Sequence, residues 1–405
     1  MTRPDLLSVD EALAAMLGEV MPIEETETVD LHLAGGRILA RDLAALRTQP
    51  PFPASAMDGY AVRAADLESE LRSLRVIGES AAGHSFDGTV EPGTCVRIFT
   101  GAPLPAGADT IAIQENARTF DDGTVSFMQS ERKGRFVRPV GLDFREGDVL
   151  LRAGRRLEAS SIALAAAMGH PSLTVRRAPR AAVLATGDEL VEPGGNAARD
   201  CIVASNGYGV GAIARATGAD VTDLGIAPDE TGAIMERIAI GESCDIVVTL
   251  GGASVGDHDL VKDCLAMRGV SMRFLKIAMK PGKPVMFGHR DVDGHRVLYL
   301  ALPGNPVSGL VTGRVLLRPL LLALQGLPTS ERTVKARLSK GLAASGDRRE
   351  YMRAVHNAAA GTVFAHETQD SSQLSVLAGS NALLVRPPNR PAAPIGAEVD
   401  LLSWE

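Results

Sequence analysis

The chain has 405 residues, 45% hydrophobic and 22% charged, the composition of a globular protein rather than a disordered one. At roughly 150 residues per domain, that length fits two to four cores better than one. With 42 Lys plus Arg against 49 Asp plus Glu, the net charge of -7 excludes a broad electrostatic pull toward nucleic acid, so any anionic ligand has to be held by a local cluster.

Ser8 and Glu11 form a capping-box pattern, and Leu13, Met16, Leu17 and Val20 follow at helical spacing, so the chain opens with an amphipathic helix. Arg3, Asp5, Asp10 and Glu11 precede any long apolar run, against a secretory signal. After Pro50, Pro51 and Pro53 the texture changes, and residues 46–140 read as short strands broken by Gly and Pro: 75–77, 95–99 and 110–113, with Asp122-Gly123 as a tight-hairpin signal. Residues 160–168 are helix-like again. Packed beside the N-terminal helix, they would make the β segment an insertion between two halves of one domain.

From residue 181, strand candidates at 181–185, 221–226, 245–250 and 297–302 alternate with helix candidates at 208–217, 231–240 and 259–267, and 307–324 follows. That alternation predicts an α/β domain with a doubly wound parallel sheet, whose ligands bind outside the carboxyl ends of the strands. The most apolar stretch, 315–324, contains Arg318 and Pro319 and is short for a bilayer, which points to a cytoplasmic protein with no membrane partner. Residues 330–405 return to short alternating runs with Pro387, Pro388, Pro391 and Pro394, as expected of a compact β domain. Cys95, Cys201, Cys244 and Cys264 are dispersed without a C-x-x-C pair, so they suggest neither a zinc site nor a disulfide framework.

Chemistry concentrates at the ends of the α/β strands. Residues 181–185 run into Thr186-Gly187-Asp188-Glu189-Leu190, and 245–250 run into Gly251-Gly252-Ala253-Ser254-Val255-Gly256-Asp257-His258-Asp259. Glycines let backbone approach a phosphate, and the start of the next helix supplies free N–H groups. The aspartates would repel that phosphate unless a cation intervenes, so the combination predicts a magnesium-dependent phosphoanhydride site. A structural turn is the competing reading, although a turn seldom needs three glycines, a serine and two acids together. Asp229 is a third carboxylate or else a helix N-cap. Lys276, Lys280 and Lys283 flank a Pro281-Gly282 turn that fits an oxyanion, and Leu302-Pro303-Gly304-Asn305-Pro306-Val307-Ser308 closes another strand. His258 is a possible acid/base. The P-loop, G-x-G-x-x-G, G-x-S-x-G and H-E-x-x-H patterns are missing.

Together, SAMDGYA, IFTGAPLPAGAD, TGDEL, GGASVGDHD, KPGKP and LPGNPVS resemble the molybdopterin molybdenumtransferase (MoeA) family, which includes the E-domain of gephyrin. The resemblance implies an elongated discontinuous domain (1–45 and 141–178), an inserted β domain (46–140), an α/β pterin-binding domain (179–328) and a C-terminal β-barrel-like domain (329–405). It also implies a homodimer whose cleft lies between the α/β domain of one subunit and the β domains of the other. The implied reaction is molybdate plus adenylylated molybdopterin giving molybdenum cofactor, AMP and water, with Mg2+ required. Carried over by motif, Asp58, Thr100, Asp143, Glu189, Asp229 and Asp259 are the catalytic positions, with Asp229 and Asp259 handling magnesium. Gly251, Gly252, Ser254, Gly256, Asp257, Pro303, Gly304, Asn305 and Pro306 line the pterin substrate, and Lys276, Lys280, Arg348 and Ser371 bind molybdate. The sequence departs from the family at Gln369-Asp370-Ser371-Ser372, where a glycine commonly precedes the serine, so either serine fits that role. The same resemblance leaves two rival functions: the pterin adenylyltransferase of the preceding step, and a non-catalytic scaffold binding a pterin nucleotide. That adenylyltransferase and recipient molybdoenzymes are the expected protein partners, and molybdenum and tungsten both remain open as the metal.

Overall fold

The buried strand Arg180–Thr186 pairs in parallel with Asp220–Ala227 on one side and Ile246–Leu250 on the other. The computed structural model describes residues 6–68, 72–195, 199–252, 260–331 and 333–404. Beyond Ile246–Leu250 the sheet continues with His295–Leu302 in parallel, then Met286–Val292 and Ser271–Phe274 in antiparallel pairing. The parallel core matches the doubly wound expectation, and two antiparallel strands extend it, with Ser271–Phe274 at the edge. Charged and polar residues such as Arg273, His289, Arg290 and Asp291 mute their apolar pattern. Asp293 and Gly294, at φ 47° and 86°, make the tight turn that joins Met286–Val292 to His295–Leu302.

Alternation along each strand splits the core into two layers. Val183, Val248 and Leu300 face one cluster with helix Asn206–Ala216 and residues 307–324. Ala182, Val247 and Tyr299 face the other with helices Thr231–Gly241 and Leu260–Met267. Pro306–Leu324 is continuously helical, with a π turn at Gly313–Leu317 just before Pro319, where the missing proline N–H breaks the regular ladder. It is long and apolar enough to cross a membrane, but 83% of its most apolar window is buried inside the protein, as in a core helix.

The capping box of the first helix, Val9–Leu17, is formed in both directions: Ser8 N donates to Glu11 Oε2 at 2.8 Å and Glu11 N to Ser8 Oγ at 3.2 Å. Val9, Ala12 and Met16 recur on one face and bury against the first of the two sheet layers. The helix thus packs with the α/β core, not with helix Ala159–Ala167 as the sequence pattern suggests. By contact, the chain divides into Met1–Thr26 with Arg176–Glu405, and Glu27–Val175.

In the first unit, Arg349–Asn357, Thr362–Ala365, Val334–Leu338, Glu398–Ser403 and Ala382–Arg386 pair in turn, and Ala382–Arg386 returns to Arg349–Asn357 to close a barrel. Closure removes the sheet edges of this small domain. Glu27–Val175 contains a six-stranded sheet in the order Thr110–Ile113, Gly59–Val62, Thr94–Ile98, Ser73–Ser80, Thr124–Phe127, Ala117–Thr119. Asp122 and Gly123 do sit in a hairpin, within a longer loop from Phe120, with Gly123 at φ 82°.

One buried charge cluster holds the far side of the α/β sheet. Glu242 accepts from Arg268 Nε at 2.7 Å, Arg290 Nη1 at 2.9 Å and Tyr299 Oη at 2.6 Å, and its side chain is 7% exposed. Burial pushes its carboxyl pKa up, but bonds from Arg268 and Tyr299 outweigh that and hold it below the usual value. A lowered folded pKa contributes stability that is complete above the unfolded carboxylate range and fades as pH falls through the folded value. Glu242→Gln is therefore expected to cost about 1–2 kcal/mol of unfolding free energy at pH 7, because it leaves two half-buried guanidinium groups without their counter-charge. Denaturant titration checks this, and the difference from wild type should shrink when repeated near pH 4.

Candidate functional site

The carboxyl ends of Arg180–Thr186, Ile246–Leu250 and His295–Leu302 open into a cleft of about 950 Å³. Its lining includes Thr186, Gly187, Glu189, Asn206, Asp229, Gly251, Gly252, Pro303, Gly304, Asn305, Pro306 and Ser372. Gly251 stands at φ 101°, and a Cβ there would lie 2.5 Å from Thr186 O. Only glycine lets these strand ends approach so closely. Gly252, at φ 62°, leaves equally little space, since its Cβ would meet Val261 Cγ2 at 2.4 Å. Ser254, Gly256, Asp257 and Asp259, with His258, lie outside the described residues.

Opposite the glycines, Asp188 Oδ1 accepts from Asp229 N at 2.9 Å, and Glu189 lies on the same turn. Burial first, then repulsion from Asp188 and Glu189, raises the Asp229 pKa above the ordinary carboxylate value. Among the described residues, no group of three His, Cys, Asp or Glu converges as a ready metal site.

The cationic segment lies beside the cleft rather than in its lining. Lys276 and Lys280 are exposed, and Lys280 Nζ donates to Glu350 Oε1 at 2.9 Å. Arg348 Nη1 donates to Met279 O at 3.3 Å. Both contacts follow from parallel pairing of Met279–Lys280 with the start of Arg349–Asn357, which splices this segment onto the barrel. The serine loop reaches the cleft from the barrel. Val307 N donates to Ser371 O at 3.0 Å and Asn305 Nδ2 to Ser371 Oγ at 3.3 Å, while Ser372 lines the cleft and bonds Asp370.

Asp58 and Thr100 meet in the Glu27–Val175 unit. Asp58 Oδ1 accepts from both Thr100 N and Thr100 Oγ1 at 2.8 Å, and the Thr100 backbone bond is the main reason its pKa is lowered. Gly59 is required next to it, because a Cβ would sit 2.1 Å from Ala112 O. Asp143 is on a separate exposed loop, where its N donates to Gln49 O at 3.1 Å.

Residues 7–169 match the MoeA N-terminal region (domain I and II), 182–323 a probable molybdopterin binding domain, and 335–404 the MoeA C-terminal region (domain IV). Molybdopterin molybdenumtransferase 2 of Mycobacterium tuberculosis is 35% identical over 97% of this chain and 97% of its own length. The chain belongs to the molybdopterin molybdenumtransferase family. The molybdopterin molybdenumtransferase of Nostoc is 36% identical over 90% of this chain and 85% of its own. Among solved structures, the molybdopterin biosynthesis MoeA protein of Pyrococcus horikoshii OT3 superposes with a TM-score of 0.82 at 28% identity, covering 98% of this chain and all of that one.

Two residues of this family member were not singled out by sequence reasoning. Asn206 opens a helix, where Asn reads as an ordinary terminus residue, yet its Nδ2 donates to Gly304 O at 2.7 Å and fixes the Pro303–Pro306 turn. Arg353 is fully buried in the barrel. Its Nη2 donates to Thr368 O at 3.3 Å, and its backbone exchanges bonds with the Gln369 side chain, which anchors the serine loop. An isolated Arg in an alternating strand signals a solvated face, so its burial was illegible. Because Gly251 sets the cleft floor, Gly251→Ala is expected to leave the far-UV circular dichroism intact while weakening molybdopterin-nucleotide binding at least about tenfold, at a strained-backbone cost of ~1–3 kcal/mol. Fluorescence titration of the pterin reads it; undiminished affinity would place the ligand elsewhere.

Proposed function

We propose that this protein transfers molybdenum from molybdate to adenylylated molybdopterin, releasing molybdenum cofactor, AMP and water. The observation that carries this reading is the union of two surfaces in one unit. The glycine-rich cleft suited to a phosphorylated pterin is bonded through Asn305 and Val307 to the serine loop, and the barrel strand that anchors this loop through Arg353 also pairs with the segment of Lys280.

In this reading the Gly251–Gly252 backbone and the Pro303–Pro306 turn hold the pterin nucleotide. Lys276, Lys280, Arg348 and a hydroxyl from Ser371 or Ser372 receive the tetrahedral dianion, since fixed cations and hydroxyls held in place before binding need little reorganisation. Glu189 and Asp229 stand on the opposite wall. Asp229, whose carboxyl is pushed upward in pKa by burial and then by Asp188 and Glu189, has the donor chemistry for Mg2+, together with Asp259. Bound there, magnesium would neutralise charge on the phosphoanhydride as it is cleaved. The same reading has the protein act in the cytoplasm as a homodimer, in which Asp58, Thr100 and Asp143 serve the cleft between subunits, and it receives its substrate from the adenylyltransferase of the preceding step.

Purified protein given adenylylated molybdopterin should release AMP only when molybdate and Mg2+ are both present, and should consume no ATP. Lys280→Ala is expected to lower that rate by roughly 100-fold, the scale of losing one pre-positioned charge donor. Asp229→Asn should abolish the magnesium-induced rise in melting temperature while melting no lower than wild type without the metal, because it relieves repulsion from Asp188 and Glu189. Unchanged AMP release in both variants would reject the assignment.

A further inference from the structure

The charges at the splice between Met279–Lys280 and the barrel are unequal in their freedom. Among Arg348, Arg349 and Glu350, where the barrel strand begins, Arg349 is committed to the first helix through a two-pronged contact with Asp10, at 2.7 and 2.6 Å. Arg348 lies against the Met279 carbonyl. Glu350 sits directly opposite Lys280 in the strand register and binds its ammonium at 2.9 Å. The carboxylate side is 14% exposed and the lysine 51%, so Glu350 is the fixed member and Lys280 the member that solvent and ligand can reach. On its other side Glu350 pairs in register with Arg386, whose guanidinium is directed at the Ala343 and Pro391 carbonyls.

We propose that Glu350 is the built-in counter-ion of the oxyanion site: it orients Lys280 and competes with an arriving dianion for that ammonium, and so limits how tightly oxyanions are held. This rests on the reading of Lys280 as an oxyanion ligand. A carboxylate beside the ligand cations lowers their combined charge by one, which weakens attraction for every tetrahedral dianion alike. Sulfate and molybdate carry the same charge and shape, so a site of bare cations would retain either. With Glu350 in place, simple charge attraction is curbed, and discrimination falls to the contacts that the serine loop and the pterin dithiolene make with the metal. Glu350 is a positioning residue in this scheme, since it touches Lys280 rather than the reacting atoms.

A purely structural role and a counter-ion role predict opposite signs. Equilibrium dialysis of the full-length protein against molybdate, and separately against sulfate, distinguishes them in wild type, Glu350→Gln, Glu350→Ala and Lys280→Ala, each checked for an unchanged melting curve. Glu350→Gln keeps an acceptor for Lys280 but removes the charge, and is expected to bind both oxyanions about three- to fivefold more tightly at low salt, the range of a partly exposed ion pair. That gain should shrink as ionic strength rises. Glu350→Ala removes the orienting bond as well and should bind less tightly than Glu350→Gln. Equal or weaker binding by Glu350→Gln, with Lys280→Ala still losing affinity, would overturn the counter-ion and leave the oxyanion site standing. Undiminished molybdate affinity in Lys280→Ala would overturn the site and the counter-ion with it.

Discussion

The cleft depends on one steric constraint, the convergence of strand ends around Gly251. Its N donates to Leu302 O at 3.2 Å, the Thr186 carbonyl occupies the space a side chain would need, and a Cβ on Gly304 would lie 3.4 Å from its Cα. Three buried strands therefore stop at one level. Their loops leave from one edge, which brings Glu189, Gly252 and Asn305 around a common volume although they are far apart in sequence. Parallel pairing makes this possible, because every strand of the set delivers its carboxyl end to the same side.

Charge is then sorted across that edge. The wall formed by Asp188, Glu189 and Asp229 is acidic enough to repel its own members. Lys280 belongs to a strand that the barrel has annexed and is matched to Glu350, while Arg349, on the barrel strand itself, is matched to Asp10. The barrel accordingly does more than close the chain. Through Arg349–Asn357 it positions Lys280, and through Arg353 and Gln369 it anchors the loop that carries Ser371 and Ser372.

Much of the α/β core was legible because buried parallel strands are continuous apolar runs. Residues 181–185 and 245–250 correspond to Arg180–Thr186 and Ile246–Leu250, and the helix at 231–240 to Thr231–Gly241. The antiparallel strands Ser271–Phe274 and Met286–Val292 were obscured because charged and polar residues interrupt both, the former as the sheet's edge with one side toward water. The first helix was found from its capping box, but not its partner: periodicity states that a face is buried and is silent on what buries it. Lys276 and Lys280 were recognised as a pair around a Pro-Gly turn, yet the pairing of Lys280 with the barrel strand is a matter of long-range register that no local pattern encodes.

The amino-acid sequence by itself determined the chemistry available to this protein: glycines where backbones must touch, carboxylates at strand ends, lysines around a rigid turn, and six motifs whose order marks the family. Those are local requirements, written in consecutive residues. Only the tertiary structure decided that Glu350 faces Lys280, that Asn305 bonds Ser371 and that an arginine buried in the barrel steadies the serine loop. Such pairings join residues separated by tens of positions, and their geometry comes from strand register and close packing of the whole unit, which short-range preference does not specify.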